Sequence, residues 1–291
     1  MTQAIDAVAT ALPVAATPAV AALLEGPRRS AVVVGRSRQA LYLRDGERYL
    51  AVLDHDAVAV PCGLRTTLSG VGSTRRVELG EGRCTIDGTD LAVRRFVDAS
   101  VPPVADDPAH ASALPWRRVA EDLRRHAPGD ALAVSLLDDD LLEALRRDDP
   151  RAVHLLLGRG PGLTPLGDDL LAGWLVARHA LGLRDGRVRT TVARLAPTRT
   201  TVVSAALLDD ALSGHAIPEL SALLRSLGGP GLSERLAALL TVGSSSGLGL
   251  ALGAALALDR PRHTDTSRHA DTSHLDTSHL DTSHLDTGGQ R

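Results

Sequence analysis

The residues with the clearest capacity for chemistry lie in a glycine-rich segment before a predicted helix. From residue 154 to residue 173 the sequence reads HLLLGRGPGLTPLGDDLLAG. Glycines permit left-handed backbone and prolines hold the rest rigid, so a row of backbone N–H groups can point into one concavity. At a helix start such a row binds phosphate or carboxylate. The binding residues that this segment predicts are Gly158, Gly160, Gly162, Thr164 and Gly167.

A purely structural explanation of the same segment competes with the binding one. Thr164 as N-cap, Pro165 as first helical residue, and Asp168 and Asp169 near the positive end of the helix dipole would account for most of the pattern. The segment is neither a Walker loop nor a GxGxxG turn. Three glycines before the cap exceed what a cap requires, so we favour a binding role.

Asp168 and Asp169 are the candidate catalytic carboxylates. A carboxylate next to a bound anion repels it, unless that carboxylate holds Mg²⁺ or accepts a hydrogen bond from the substrate. Consecutive helical residues diverge by about 100°. We therefore expect at most one of the two to face the site while the other accepts from backbone donors, and the sequence does not say which. The sequence identifies no cofactor, and Mg²⁺ stays an option.

Two further segments place small polar residues at predicted helix starts. In PTRTTVVSAALLDDALSGH, residues 197–215, Arg199 is the third candidate catalytic residue and supplies a forked cation for a carboxylate or phosphate. Thr200 and Ser204 share one helix face and are predicted binding residues. The alternative is a threonine cap with Ser204 bonded back to the helix. In TVGSSSGLGLALG, residues 241–253, we expect hydroxyl and N–H donors to an anion rather than a nucleophile, because no GxSxG turn surrounds the serines. The binding residues predicted there are Ser244, Ser245, Ser246 and Gly247.

A third hypothesis is metal-dependent hydrolysis that uses two Asp-Asp pairs. Asp168 and Asp169 would act with Asp209 and Asp210. Helix N-terminal and surface carboxylates explain both pairs more simply, so we rank this hypothesis last. For His215, which follows a glycine at a predicted helix end, a C-cap or a cationic role is the ordinary explanation.

The elements that must position these residues predict an α+β protein. An N-terminal antiparallel, β-rich, barrel-like domain is followed by a mainly α-helical domain that carries the glycine-rich motif. The strand signal is alternating stretches around Asp-Gly turns, and the helical signal is apolar residues three and four apart. The predicted segments are a lead-in helix over 1–29, the β-rich domain over 30–100, a proline-rich linker over 101–115, the helical domain over 116–260, and a disordered tail over 261–291 with three DTSHL repeats.

Composition excludes several classes of partner. The 32 basic residues, all arginine, are scattered among 35 acidic ones for a net charge of -3, so neither nucleic acid nor an acidic membrane surface is indicated. Cys62 and Cys84 lie far apart, which suggests neither a zinc site nor a disulfide framework. The apolar stretch 236–258 is long enough to span a membrane, but its central glycines and serines favour two helices joined by a turn. We expect a cytoplasmic protein.

The segment GRGPGLTPLGDDLLAG, followed by a Thr- and Ser-bearing helix and GSSSG, resembles the AllH-type family of oxamate carbamoyltransferase subunits. The characteristic stretch of that family reads like GxGPGLTPSGDDxLxG. The resemblance extends from about residue 25 to residue 258. Leu166 replaces the usual serine. Ser244 and Gly249 stand where the last motif, like GHSSGxD, has its His and Asp, and these two departures favour a non-catalytic role.

The resemblance implies transfer of a carbamoyl group between oxalurate and phosphate, giving oxamate and carbamoyl phosphate in anaerobic allantoin use. Other subunits would share the work. All four compounds are small anions, and a glycine nest, an arginine and hydroxyl groups suit the binding of two of them side by side. The rival hypothesis from another class is a non-catalytic scaffold or regulatory subunit that binds a small carboxylate or phosphate.

Overall fold

The structure is a computed structural model that describes residues 11–126 and 138–259, which belong to one compact unit. The predicted disordered tail over 261–291 and the first ten residues of the predicted lead-in helix lie outside the described residues. The described chain is an α+β fold in which a nearly closed, barrel-like sheet precedes a helical region. The predicted fold class is therefore confirmed.

Nine strands form one sheet in the described residues, in the order β2-β7-β8-β9-β1-β6-β5-β4-β3. The strands are β1 (Leu12–Ala16), β2 (Arg29–Ser30), β3 (Val32–Arg36), β4 (Ala40–Asp45), β5 (Arg48–Leu53), β6 (Gly63–Arg65), β7 (Val77–Gly80), β8 (Arg83–Ile86) and β9 (Thr89–Phe96). Most neighbours pair antiparallel, as predicted. Two pairs, β1 with β9 and β5 with β6, are parallel, which the expectation of an antiparallel sheet missed.

Two Asp-Gly turns close hairpins at the predicted places. Asp45 pairs with Arg48 across the first turn, where Gly46 has a φ of 62°. The second turn joins β8 to β9, and both Asp87 and Gly88 have positive φ. An aspartate and a glycine tolerate these left-handed angles, so the turns fix the register of the flanking strands.

The N-terminal segment differs from the predicted lead-in helix over 1–29. Residues Leu12–Ala16 form β1 in the middle of the sheet, between β9 and β6. Only a short helix follows, α1 (Pro18–Ala22), whose N-cap Thr17 accepts a hydrogen bond from the Val20 N–H. Alanine-rich composition favours a helix, but here the gain from completing the sheet outweighs that weak propensity.

The described helices of the second half begin inside the predicted linker over 101–115 and continue through the predicted helical domain. They are α2 (Pro108–Ala113), α3 (Trp116–His126), α4 (Asp139–Arg146), α5 (Arg151–Leu156), α6 (Leu166–Ala180), α7 (Arg187–Arg199), α8 (Val202–Leu212), α9 (Pro218–Arg225), α10 (Leu232–Leu240) and α11 (Ser246–Leu258). Helices α6 and α11 are buried along most of their length, which is typical of the central helices of a bundle. In the described residues, no helix is both long enough and apolar enough to cross a membrane.

Strands β4 and β5 are covered on both faces. Leu41 and Leu50 point into the core of the sheet, whereas Ala51 and Leu53 belong to the helical core, because successive side chains alternate between faces. The predicted linker over 101–115 is also tied to the helices, since the Val104 N–H donates to the Ala180 carbonyl at 2.8 Å. The sheet and the helices thus share a core.

Helices α6 and α11 approach each other closely because glycines line their contact. A Cβ on Gly173 of α6 would overlap the Leu250 carbonyl oxygen. A Cβ on Gly253 of α11 would overlap the Leu170 carbonyl oxygen and lie 2.7 Å from the Trp174 nitrogen. The two backbones therefore touch at a distance that no larger residue permits.

We predict that Gly253→Ala destabilises the protein. In an open helix, alanine in place of glycine adds about 1 kcal/mol of stability. Here the added methyl would force the helices apart, at a cost of about 1–3 kcal/mol. Urea denaturation measures the difference, with Gly229→Ala as control because its added Cβ meets only Ser226 at 3.6 Å. A Gly253→Ala midpoint at or above that of the wild type would contradict the close approach.

Candidate functional site

The glycine-rich loop between α5 and α6 is shaped by three left-handed glycines. Gly158, with a φ of 74°, faces the Arg199 carbonyl so closely that a Cβ would overlap it. Gly160, with a φ of 128°, would place a Cβ 2.7 Å from the Leu166 nitrogen. Gly162, with a φ of 92°, has open space beside it. The first two glycines thus permit close packing, and the third serves the loop conformation alone.

Asp168 binds the start of this loop to the segment before α8. It is only 2% exposed, and its carboxylate accepts hydrogen bonds from the Gly158 N–H at 2.7 Å and from the Thr200 hydroxyl. Burial raises the pKa of Asp168, and interactions with Gly158, Thr200 and Ser204 oppose that rise. The side chain therefore joins two of the predicted motifs.

Asp169 is the less satisfied of the two carboxyl groups. It is 6% exposed, and its Oδ2 is buried without a hydrogen-bond partner among the described residues. Burial raises the pKa of Asp169 to about 8, the neighbouring Ser246 hydroxyl lowers it in part, and the charge of Asp168 raises it. At neutral pH this carboxyl group is therefore protonated in most molecules, and it can then donate a hydrogen bond.

The third motif reaches the site through the first residues of α11. The hydroxyls of Ser246 and Thr164 lie 3.1 Å apart. A Cβ on Gly247 would overlap the Leu239 carbonyl oxygen, and one on Gly249 would lie 2.8 Å from the Asp169 Cβ. Gly249, which the sequence interpretation treated only as a departure from the family motif, thus lets α11 pack directly against the aspartate pair.

Several predicted roles change in the structure. Pro165, not Thr164, is the N-cap of α6, and no side chain caps this helix, because the Thr164 hydroxyl contacts Ser246 instead. Arg199 is the exposed last residue of α7 and does not begin α8. Thr201 caps α8 by accepting from the Ser204 N–H at 3.0 Å.

The structure brings most of the predicted residues together. Residues Gly158, Thr164, Asp168, Asp169, Thr200, Ser204, Ser246 and Gly247 surround the aspartate pair or contact its neighbours. Of the others, Gly160 and Gly162 lie in the loop, Gly167 lies in the first turn of α6, and the Arg199 carbonyl faces Gly158. The side chains of Ser244 and Ser245 form no hydrogen bond within the described residues. Thr201 caps α8, and its hydroxyl also donates to the Leu163 carbonyl at 2.5 Å and so holds the loop against α8.

The second Asp-Asp pair lies elsewhere. Asp209 and Asp210 line a cavity next to the sheet, together with His215. Among residues 11–126 and 138–259, no three His, Cys, Asp or Glu side chains are grouped as metal ligands. Within the described residues the two Asp-Asp pairs therefore share no common metal centre of the kind that metal-dependent hydrolysis would need.

Comparison with known families gives one result, and it covers this site. Residues 156–258 match the family model of oxamate carbamoyltransferase subunit AllH. No curated protein and no solved structure matches the chain. The expected resemblance to AllH is thus confirmed for the helical region from Leu156 onward, which contains all three motifs. The strands, to which the resemblance was expected to extend, lie outside the AllH match.

We predict that Thr200→Val destabilises the protein by about 1–3 kcal/mol, the cost of leaving a buried acceptor without its donor. Valine keeps the shape of threonine but removes the hydroxyl that donates to Asp168. Urea denaturation at neutral pH measures the change, and Thr200→Ser should restore much of the loss. Thr198→Val is the matched control, because the Thr198 side chain is exposed. Equal losses in both valine variants would refute the role of the Thr200 hydroxyl.

We also predict that Asp169 makes stability fall as pH rises. Its pKa is about 8 in the folded protein against an ordinary 3.8, so between about pH 4 and pH 8 the folded state keeps a proton that the unfolded state has lost. Stability therefore decreases through this window. Urea midpoints from pH 5 to pH 8 should decline more steeply for the wild type than for Asp169→Asn. The exposed Asp185→Asn should keep the wild-type slope, and parallel slopes for all three proteins would be inconsistent with a raised pKa at Asp169.

Proposed function

We propose that the chain is a cytoplasmic subunit of an oxamate carbamoyltransferase-like enzyme and that the glycine-rich loop binds its small anionic substrates. In this reaction phosphate attacks the carbamoyl carbon of oxalurate, the C–N bond breaks, and the nitrogen leaves as oxamate after taking a proton. The observation that carries the proposal is the meeting of three motifs at Asp168 and Asp169 within the AllH match.

The loop offers N–H donors that the fold itself does not use. Within the part of the chain that the structure describes, the N–H groups of Gly160, Gly162, Leu163 and Thr164 form no hydrogen bond. Gly162 and Leu163 are exposed. Arg199 is exposed, and its carbonyl oxygen faces Gly158 at the start of the loop. Free N–H donors beside an unpaired guanidinium suit phosphate or carboxylate.

The buried aspartates do not prevent anion binding, because Asp169 is largely protonated and the oxygens of Asp168 already accept hydrogen bonds from the protein. Asp169 is largely protonated at neutral pH, given its pKa of about 8. Asp168 directs its oxygens to the Gly158 N–H and the Thr200 hydroxyl. A protonated Asp169 can donate a hydrogen bond to a substrate oxygen and supply the proton that the leaving nitrogen needs. Catalysis would otherwise consist of positioning two anions and stabilising charge.

The second candidate function is a non-catalytic subunit that binds a small carboxylate or phosphate. Gly249 supports it, since this position carries an aspartate in the family motif and here packs against the Asp169 Cβ. The position therefore adds no side chain to the site. Both candidates need the same anion site and the same partner subunits, and they differ only in whether the chemistry takes place.

Isothermal titration of the full chain with phosphate, carbamoyl phosphate, oxamate and oxalurate, with and without Mg²⁺, tests the site. We expect saturable binding that does not depend on Mg²⁺. Arg199→Ala should weaken it about ten-fold or more, the effect of losing one charge-assisted contact. Gly162→Val should abolish it, because valine does not adopt a φ of 92° without strain.

Two control variants separate binding from folding. Gly182→Val creates the same backbone strain in open space beyond the other end of α6, and Arg194→Ala removes an exposed arginine from α7. Both should bind as the wild type does. If none of the four anions binds, or if the control variants lose binding equally, the loop is not an anion site and the proposal fails. Binding without turnover in the assembled enzyme would favour the non-catalytic subunit.

A further inference from the structure

A cavity of about 680 Å³ lies between the sheet and α8, apart from the glycine-rich loop. Helix α1, the β4–β5 hairpin and Cys62 form one side, and Ala205, Ala206 and Asp209 of α8 form the other. Ser204 of the same helix faces Asp168, so α8 separates two different sites. A volume of this size falls in the range of about 300–1,000 Å³ that holds small-molecule ligands, and exceeds what oxamate or phosphate would fill.

The end of the cavity at α8 offers hydrogen-bond acceptors. The Oδ2 of Asp210 is buried and has no hydrogen-bond partner among the described residues. Its Oδ1 lies 3.9 Å from Nδ1 of His215. Burial raises the pKa of Asp210 to about 7, the charge of Asp209 raises it, and Cys62 lowers it in part. Because an unpaired buried acceptor costs free energy, this carboxyl group is ready to accept from a ligand N–H.

The β4–β5 turn contributes two cations, Arg44 and Arg48, and one carboxylate, Glu47, to the lining of the cavity. Arg44 and Arg48 flank the Asp45-Gly46 turn, are exposed, and form no ion pair or hydrogen bond through their side chains within the described residues. Tyr49, half-buried, is the aromatic residue on this lining. Two unpaired guanidinium groups beside a phenol ring suit an anionic group attached to a planar ring.

The walls between these two ends are apolar and built from small side chains. Helix α1 contributes Ala19 and Ala22, the segment before β6 contributes Pro61, and α8 contributes Ala205 and Ala206. Short side chains leave a smooth surface that a flat ring can contact over its whole face. The cavity therefore combines acceptors at one end, apolar walls along its length, and cations at its mouth.

We propose that this cavity is a second ligand site, which binds a planar molecule carrying adjacent N–H donors at one end and an anionic group at the other, the pattern of a guanine nucleotide. The ring N–H and the exocyclic amino group of guanine would donate to the carboxyl group of Asp210. The phosphate would meet Arg44 and Arg48. The site is independent of the glycine-rich loop and of the carbamoyltransferase proposal.

Isothermal titration of the full chain with GMP, AMP and guanosine tests this pattern. AMP lacks the adjacent N–H donors and guanosine lacks the phosphate. GMP should bind saturably, and each of the other two about ten-fold more weakly or less, since each loses a charge-assisted set of hydrogen bonds. Equal affinities for the three compounds, or no saturable binding of GMP at millimolar concentration, would overturn the proposal.

Variants locate the binding within the cavity. Asp210→Asn keeps the size of the side chain but replaces one acceptor with a donor, and Arg48→Ala removes a cation from the mouth. Each should weaken GMP binding about ten-fold, and Ala206→Leu should block it by filling the wall. Arg94→Ala, which removes an exposed strand arginine outside the cavity, should bind GMP normally.

Thermal denaturation of each variant checks that the protein is folded, so that a loss of binding reports on the site. Normal GMP binding in folded Asp210→Asn and Arg48→Ala would overturn the assignment. So would GMP binding that Gly162→Val removes and Asp210→Asn does not, because the nucleotide would then be bound at the glycine-rich loop.

Discussion

The close contact between α6 and α11 is the constraint on which the site depends. Gly173 and Gly253 remove the side chains that would hold the two helix backbones apart. At the N-terminal end of the same contact, Gly249 packs against Asp169, and so the aspartate pair is enclosed between helices. A larger residue at any of these positions would open the contact and admit water to the carboxyl groups. Packing and electrostatics at this site are therefore parts of one arrangement.

Enclosure gives the two aspartates different chemical characters, although they are neighbours in sequence. Asp168 directs its oxygens toward donors from the loop and from the segment before α8, so it holds the two together. Asp169 keeps one oxygen without a partner and holds its proton at neutral pH. Such a group weakens the folded state, and its persistence in a central helix is typical of functional sites.

Local signals in the sequence predicted the elements well, whereas non-local pairing escaped them. The Asp45-Gly46 and Asp87-Gly88 turns and the helices from α6 to α11 follow from short-range chemistry and from apolar periodicity. The strand Leu12–Ala16 could not be predicted in the same way, because its partners lie far along the chain. At the site, residue types indicated which motifs would matter. They did not indicate that Thr164 would turn to Ser246 instead of capping α6, since that depends on how α11 packs.

The position of β1 also bears on how the chain is made. Strand β1 pairs in parallel with β9, so about 80 residues must be synthesised after Leu12 before its partner Leu91 exists. Until then β1 lacks one of its two neighbours in the sheet, and pairing across such a separation is slow because of loop-closure entropy. The barrel-like sheet is thus completed late, after β9 has left the ribosome. During synthesis the edge of β1 that will pair with β9 stays exposed to other chains, which makes this the step most sensitive to aggregation.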